Sequence, residues 1–135
     1  MRAILDRQHL GKPSKPGDHG AVHGNLRETD LTDGYIAAAT EALRAAGVEV
    51  LVLTEGEYGD RHRRAIAWAR TSPERCAYVA CHVNAGGGRY ALAEYDGRST
   101  GGAALALALV SACVSLPVWA IKTDPLQANE RGWVC

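Results

Sequence analysis

Two hydrophobic periods alternate along this chain, and the alternation leaves few folds open to it. "RAILD" (Arg2 to Asp6) is a short apolar run stopped by a polar loop, as expected of a buried strand. From Asp30 to Ala46, "DLTDGYIAAATEALRAA" puts Leu31, Tyr35, Ala38, Ala42 and Ala46 on one helical stripe, with Gly47 placed as the C-terminal cap. "VEVLVLT" (Val48 to Thr54) is apolar and β-branched and predicts a central strand. Asp60 is placed to cap a helix "RHRRAIAWAR" with Ala65, Ile66 and Ala69 inward and the arginines outward, ended by Ser72 and Pro73. "CAYVACHVNA" predicts another strand, and the glycines of "GGGRYALAEY" lead into one more. The alternation of Leu105, Leu107 and Leu109 admits a strand, but the alanine content and the length favour a helix from about Thr100 to Val114. "PVWAIKT" (Pro117 to Thr123) predicts the last strand.

The predicted order is β, α, β, α, β, β, α, β, with no internal repeat and no linker. It implies one α/β domain, a mostly parallel or mixed twisted sheet with helices on both faces. A chain of 135 residues can bury about two thirds of the surface it exposes when unfolded, so such a core is affordable.

Composition narrows the function classes. Fifteen Lys+Arg balance fifteen Asp+Glu, so neither nucleic acid nor an anionic membrane surface is an expected partner. The longest apolar run, Gly101 to Val114, falls short of the roughly 20 residues that cross a bilayer. Cys76, Cys81, Cys113 and Cys135 have neither zinc-ribbon spacing nor disulfide-scaffold density and read as reduced, mostly buried small hydrophobes. Cys76 and Cys81 face opposite ways on a strand, and so do Cys81 and His82, which excludes a disulfide between the first pair and a Cys-His dyad from the second. Strand-like sequence begins almost at Met1, with no signal-peptide pattern before it, which predicts a chain cytoplasmic when made.

Open α/β sheets bind ligands beyond the carboxyl ends of their strands. There the chain carries His9, just past the first strand, His82, closing "AYVACH", and Glu28, on the segment returning to the first helix. Two imidazoles and a carboxylate make a zinc-type donor set, and zinc at a three-ligand site activates water for hydrolysis without a protein nucleophile. Each residue also has an ordinary role: His9 as a solvated loop residue, Glu28 as a carboxylate favoured at a helix N-terminus, and His82 as a polar group paired at a strand end. His19 and His23, in "GDHGAVHGN", read as loop residues near the site mouth, and His62 reads as solvated on an outer helix face. "NAGGGR" lacks the order of a phosphate-binding loop and leads into a strand.

"ILDRQHLG", "GAVHGNLRETDL" and "HVNAG" together resemble the zinc-dependent N-acetylmuramoyl-L-alanine amidases, which cleave peptidoglycan between the lactyl group and the first peptide residue. The resemblance runs from Ala3 to about Val134 and takes in the "S..GAALA" helix and "ERGW". It implies Zn²⁺ held by His9, Glu28 and His82, peptidoglycan as partner, and Asn84 as a residue that orients substrate or supports the ligands; Asn84 also suits a turn.

Two departures accompany it. The family usually has Pro-Gly before its first ligand and Gly-Gly after it, where this chain has Arg7-Gln8 and Leu10-Gly11. Family members also continue through another helix and a strand bearing a catalytic Glu, which neither Asp124 nor Glu130 matches. The expectation is therefore a zinc amidase of the cell-wall hydrolase or phage-lysin type, truncated at its C-terminus, with further chain or domains beyond Cys135. The alternatives are a wall-binding or structural module that keeps the metal and has lost its acid/base, and an α/β enzyme that uses no metal.

Overall fold

β1 (Arg2–Asp6) is buried at every residue because strands flank it on both edges and helices cover both its faces. The structure, a computed structural model, describes residues 1–83, 90–113 and 120–126, and the chain divides into two compact units, Met1–Gly86 and Gly87–Cys135. In the first unit β1 is followed by a short antiparallel ribbon of β2 (Val22–His23) and β3 (Leu26–Arg27), then α1 (Glu28–Ala45), β4 (Glu49–Leu53), α2 (Tyr58–Ala69) and β5 (Cys76–Ala80).

The three long strands form a parallel sheet in the order β4-β1-β5, with Asp6 opposite both Leu53 and Ala80. The chain steps from β1 to one side, then back across β1 to the other. Right-handed crossovers then place the two helices on opposite faces. The side chains agree. Leu53 packs with Ile4 and with Ala65 of α2, while Val52, pointing the other way, lines a cleft with Ile36 and Ala37 of α1. The α/β class and the helices on both faces are as the sequence implies. Burying Ile4 and Leu53 contributes about 1.5–3 kcal/mol each.

Several local expectations are corrected. β1, not β4, is the central strand among the described residues, and only Leu53 of β4 is buried. In α1 the buried stripe is Glu28, Thr29, Thr32 and Ile36, whereas Tyr35, Ala38, Ala42 and Ala46 are exposed and Leu31 is half-buried. The helix begins two residues earlier than its spacing predicts, and its first residue, Glu28, faces inward. In α2 Arg61 is fully buried and Ile66 is exposed, so one arginine points inward and the predicted apolar face is rotated. His62 is half-buried, with its ring edge-on to Tyr78 at 5.6 Å between centroids. The β2–β3 ribbon, expected as loop, turns on Gly24 (φ +58) and Asn25, a two-residue hairpin connection.

Helix α1 ends as Gly47 predicts. Gly47 adopts φ +76, its N–H donates to Arg44 O at 3.0 Å, and Val48 N–H donates to Leu43 O at 2.9 Å, the bond pair of a Schellman motif.

The second unit holds β6 (Tyr90–Asp96), α3 (Thr100–Ala112) and β7 (Ala120–Leu126). β6 and β7 are parallel, with Tyr90 opposite Ala120 and Asp96 opposite Leu126. The helix reading of α3 holds. Ser99 caps it, its hydroxyl oxygen accepting from Gly102 N–H at 2.9 Å, and Ala106 and Val110 are buried. β7 runs three residues later than predicted at both ends. Among the described residues no helix is long and apolar enough to cross a membrane, and Cys76, Cys81 and Cys113 are free and half-buried.

Candidate metal centre

The loop that leaves β1 is held in a conformation its residues do not prefer. Gln8 and His9 both have positive φ, 57° and 50°, a region that costs a non-glycine residue about 1–2 kcal/mol. The position before the histidine is where the resembled family carries glycine. A buried network holds the turn. Gln8 N–H donates to Asp6 Oδ1 at 3.0 Å, and the Asp6 carboxylate also accepts from Arg61 at 2.9 Å and from the Tyr78 hydroxyl at 2.5 Å. Arg61 donates further to the carbonyl oxygens of Leu10, Thr54 and Gly56. One guanidinium thus ties the end of β1 to the His9 loop and to the β4–α2 connection.

Glu28 reaches the same place from the β2–β3 ribbon. It is the first residue of α1, where a carboxylate is favoured by the helix dipole. Its Oε2 accepts from Ala21 N–H at 2.8 Å, and its Oε1 accepts from Val83 N–H at 3.0 Å and lies 2.9 Å from His82 Nδ1. Burial works against the charge, but these donors and the nearby His9 outweigh it and hold the Glu28 carboxyl below its ordinary pKa.

His82 lies two residues beyond β5, in the gap at the carboxyl ends of β1 and β5 where the winding of the sheet reverses. One donor atom each from His9, Glu28 and His82 lies within 4.8 Å of the others. His9 Nε2 is 3.3 Å from Glu28 Oε1, and the two imidazole rings stand edge to face, 5.3 Å between centroids. The His82 side chain is 44% exposed, against 5% for Glu28, so the centre is dry at its base and open on one side.

The residues fit a metal ion on two grounds. His9 Nε2 is buried and makes no hydrogen bond, an arrangement that leaves a ring nitrogen facing Glu28 without a hydrogen-bond partner. Two nitrogens and a carboxylate oxygen are also a zinc donor set, and bonds of about 2.0–2.1 Å at tetrahedral angles separate ligand atoms by about 3.3 Å. The His9–Glu28 spacing has that value.

Three neighbours were not singled out by the sequence reading. Asp18 is buried and lies 3.3 Å from His9 Nδ1, on the ring edge opposite the free nitrogen. The Lys12 ammonium beside Asp18 holds its carboxyl far below the usual range, with Gly20 N–H, His9 and Lys15 adding to the effect. Burial opposes the Lys12 charge, but Asp18 and Tyr58 outweigh it and raise the lysine's pKa. Gly20 has φ +69, and a Cβ there would sit 2.8 Å from both Glu28 Cδ and His9 Cδ2. The available signal for Asp18 was chemical, since a ligating histidine usually donates its other N–H to a carboxylate or carbonyl.

His19 and His23 lie outside the cluster. His19 Nδ1 is 3.2 Å from the Thr29 hydroxyl, at the start of α1, and His23 is exposed on the ribbon. Asn84 and the "NAGGGR" stretch lie outside the described residues, as do Glu130 and Cys135.

No protein-family model and no curated protein matches the sequence. Among solved structures, the fold is similar to that of N-acetylmuramoyl-L-alanine amidase AmiC2 of Nostoc punctiforme, with a TM-score of 0.70 and 17% identity, over 99% of this chain and 74% of that one.

Proposed function

We propose that this chain is a zinc-dependent amidase that hydrolyses the bond between N-acetylmuramic acid and L-alanine in peptidoglycan, with His9, Glu28 and His82 holding the metal. The buried, unpartnered Nε2 of His9, beside Glu28 and His82, carries the metal part of this reading. The similarity of fold to AmiC2, together with the sequence resemblance, supports the substrate.

Zinc bound at such a site supplies a Lewis acid for the amide carbonyl and lowers the pKa of water to about 7. The chain supplies the rest. Glu28 contributes the negative charge of the donor set and is kept ionised by its two backbone donors. The exposed flank of His82 leaves room for water and substrate, and Asn84 is the proposed substrate-orienting residue. The departing amine needs a proton, and a positioned acid or base contributes about 10²–10⁴-fold.

A second reading keeps the same three-residue metal site without the hydrolysis. The chain is then a wall-binding module that retains the metal. Incubating the zinc-loaded chain with dye-labelled peptidoglycan, and assaying the new alanine amino termini, separates the readings. Zinc-dependent release that His82→Ala abolishes supports the amidase. Stoichiometric zinc with no release overturns it in favour of the binding module, and a chain that takes up no zinc overturns both.

A further inference from the structure

We infer that Asp18 is a positioning residue for the metal centre: it accepts the Nδ1 proton of His9, fixes the ring in one tautomer and orientation, and so presents Nε2 as the free donor. The inference rests on reading His9, Glu28 and His82 as a metal centre.

The two edges of the His9 ring differ in their hydrogen bonding. Nε2 is buried without a hydrogen bond and faces Glu28, while Nδ1 lies 3.3 Å from Asp18 Oδ2 and 3.5 Å from the Tyr58 hydroxyl. Each ring nitrogen lies 3.3 Å from a carboxylate oxygen, but only the Nδ1–Asp18 contact has hydrogen-bond geometry; a neutral imidazole carries one N–H, and the aligned edge keeps it. The lone pair then lies on the edge facing Glu28 and His82.

Asp18 is held for this task from all sides. Its Oδ2 pairs with Lys12, and its Oδ1 accepts from Gly20 N–H and from Lys15, both at 3.2 Å. Lys12 is itself buried, with its ammonium 4.5 Å from the Tyr58 ring centroid and 3.3 Å from the Tyr58 hydroxyl. These bonds close residues 12 to 18 into a short loop whose one buried carboxylate is aimed at His9. They also limit the orientations open to the His9 ring, which stands on a backbone at positive φ. The neighbouring Gly20 is bare for the same reason, because a side chain there would displace the ring or Glu28.

The test reads the tautomer directly. In long-range ¹⁵N–¹H correlation spectra of the zinc-free native chain above neutral pH, His9 is expected to be protonated at Nδ1. Asp18→Ala is expected to mix the tautomers, to weaken zinc binding by about 10–100-fold in chelator competition, and to change the visible spectrum of the cobalt-loaded chain. Asp18→Asn, whose amide oxygen still accepts from Nδ1–H, restores the tautomer and part of the affinity. Protonation of native His9 at Nε2 overturns the inference, as does an Asp18→Ala chain with native zinc affinity and native cobalt spectrum. If the variants do not fold, the tautomer in the native chain still decides. A native chain that keeps the Nδ1 tautomer but takes up no zinc overturns the metal centre separately.

Discussion

At the scale of single residues, the centre depends on groups that have no obvious chemistry in the sequence. Gly20 is one. With φ +69 and a Cβ position 2.8 Å from Glu28 Cδ and His9 Cδ2, Gly20→Ala is expected to lower zinc affinity by at least tenfold and to destabilise the fold by about 1–2 kcal/mol. Chelator competition and thermal melting measure the two effects. Arg61 is another. It and Asp6 are both fully buried, so Arg61→Leu leaves a carboxylate unpaired and is expected to cost about 3–5 kcal/mol in urea unfolding, part of it regained when Asp6→Asn is added. His9, Glu28 and His82 could be picked out because strand ends in an α/β sheet are where ligands gather and because their donor atoms suit zinc. Asp18 and Arg61 were hidden because a buried charge looks in sequence like any surface charge. Only the fold shows which arginine of "RHRR" turns inward.

At the scale of elements, the existence and type of the long strands and helices were legible and facing was not. β1 has its predicted limits, and α3 is the helix its alanines favour. Alanine-rich α1 left its inward face undetermined, because small side chains fit either side, and its orientation is set by where Glu28 and Ile36 must lie. The hairpin of β2 and β3 has only two residues per strand, too few for a period to register, although Gly24-Asn25 is a turn signal. Helix termini are more local, and Gly47 illustrates this. Its left-handed backbone closes the Schellman motif, so Gly47→Ala is expected to lower stability by about 1 kcal/mol with no change in the denaturant slope.

At the scale of the whole molecule, paired carboxylates shape the acid response. Asp18 has an ordinary pKa of 3.8 and Glu28 one of 4.5, and both are lower in the folded chain. Their contribution to stability is complete above those ordinary values and is lost as pH falls through the depressed folded ones. Urea midpoints are therefore expected to hold from neutrality to about pH 5 and to drop steadily below it, with a shallower drop in Asp18→Asn. By itself the sequence determined the α/β class, the order of long strands and helices, and three metal-type donors at strand ends, because hydrophobic period and donor chemistry are local properties. Tertiary structure decided that β1 is the middle strand, that one His9 nitrogen is hydrogen-bonded to Asp18 and the other is not hydrogen-bonded, and that Gly20 must carry no side chain. Those depend on residues up to 74 positions apart, as in the pairing of Arg2 with Cys76, brought together by a sheet whose winding reverses about its central strand.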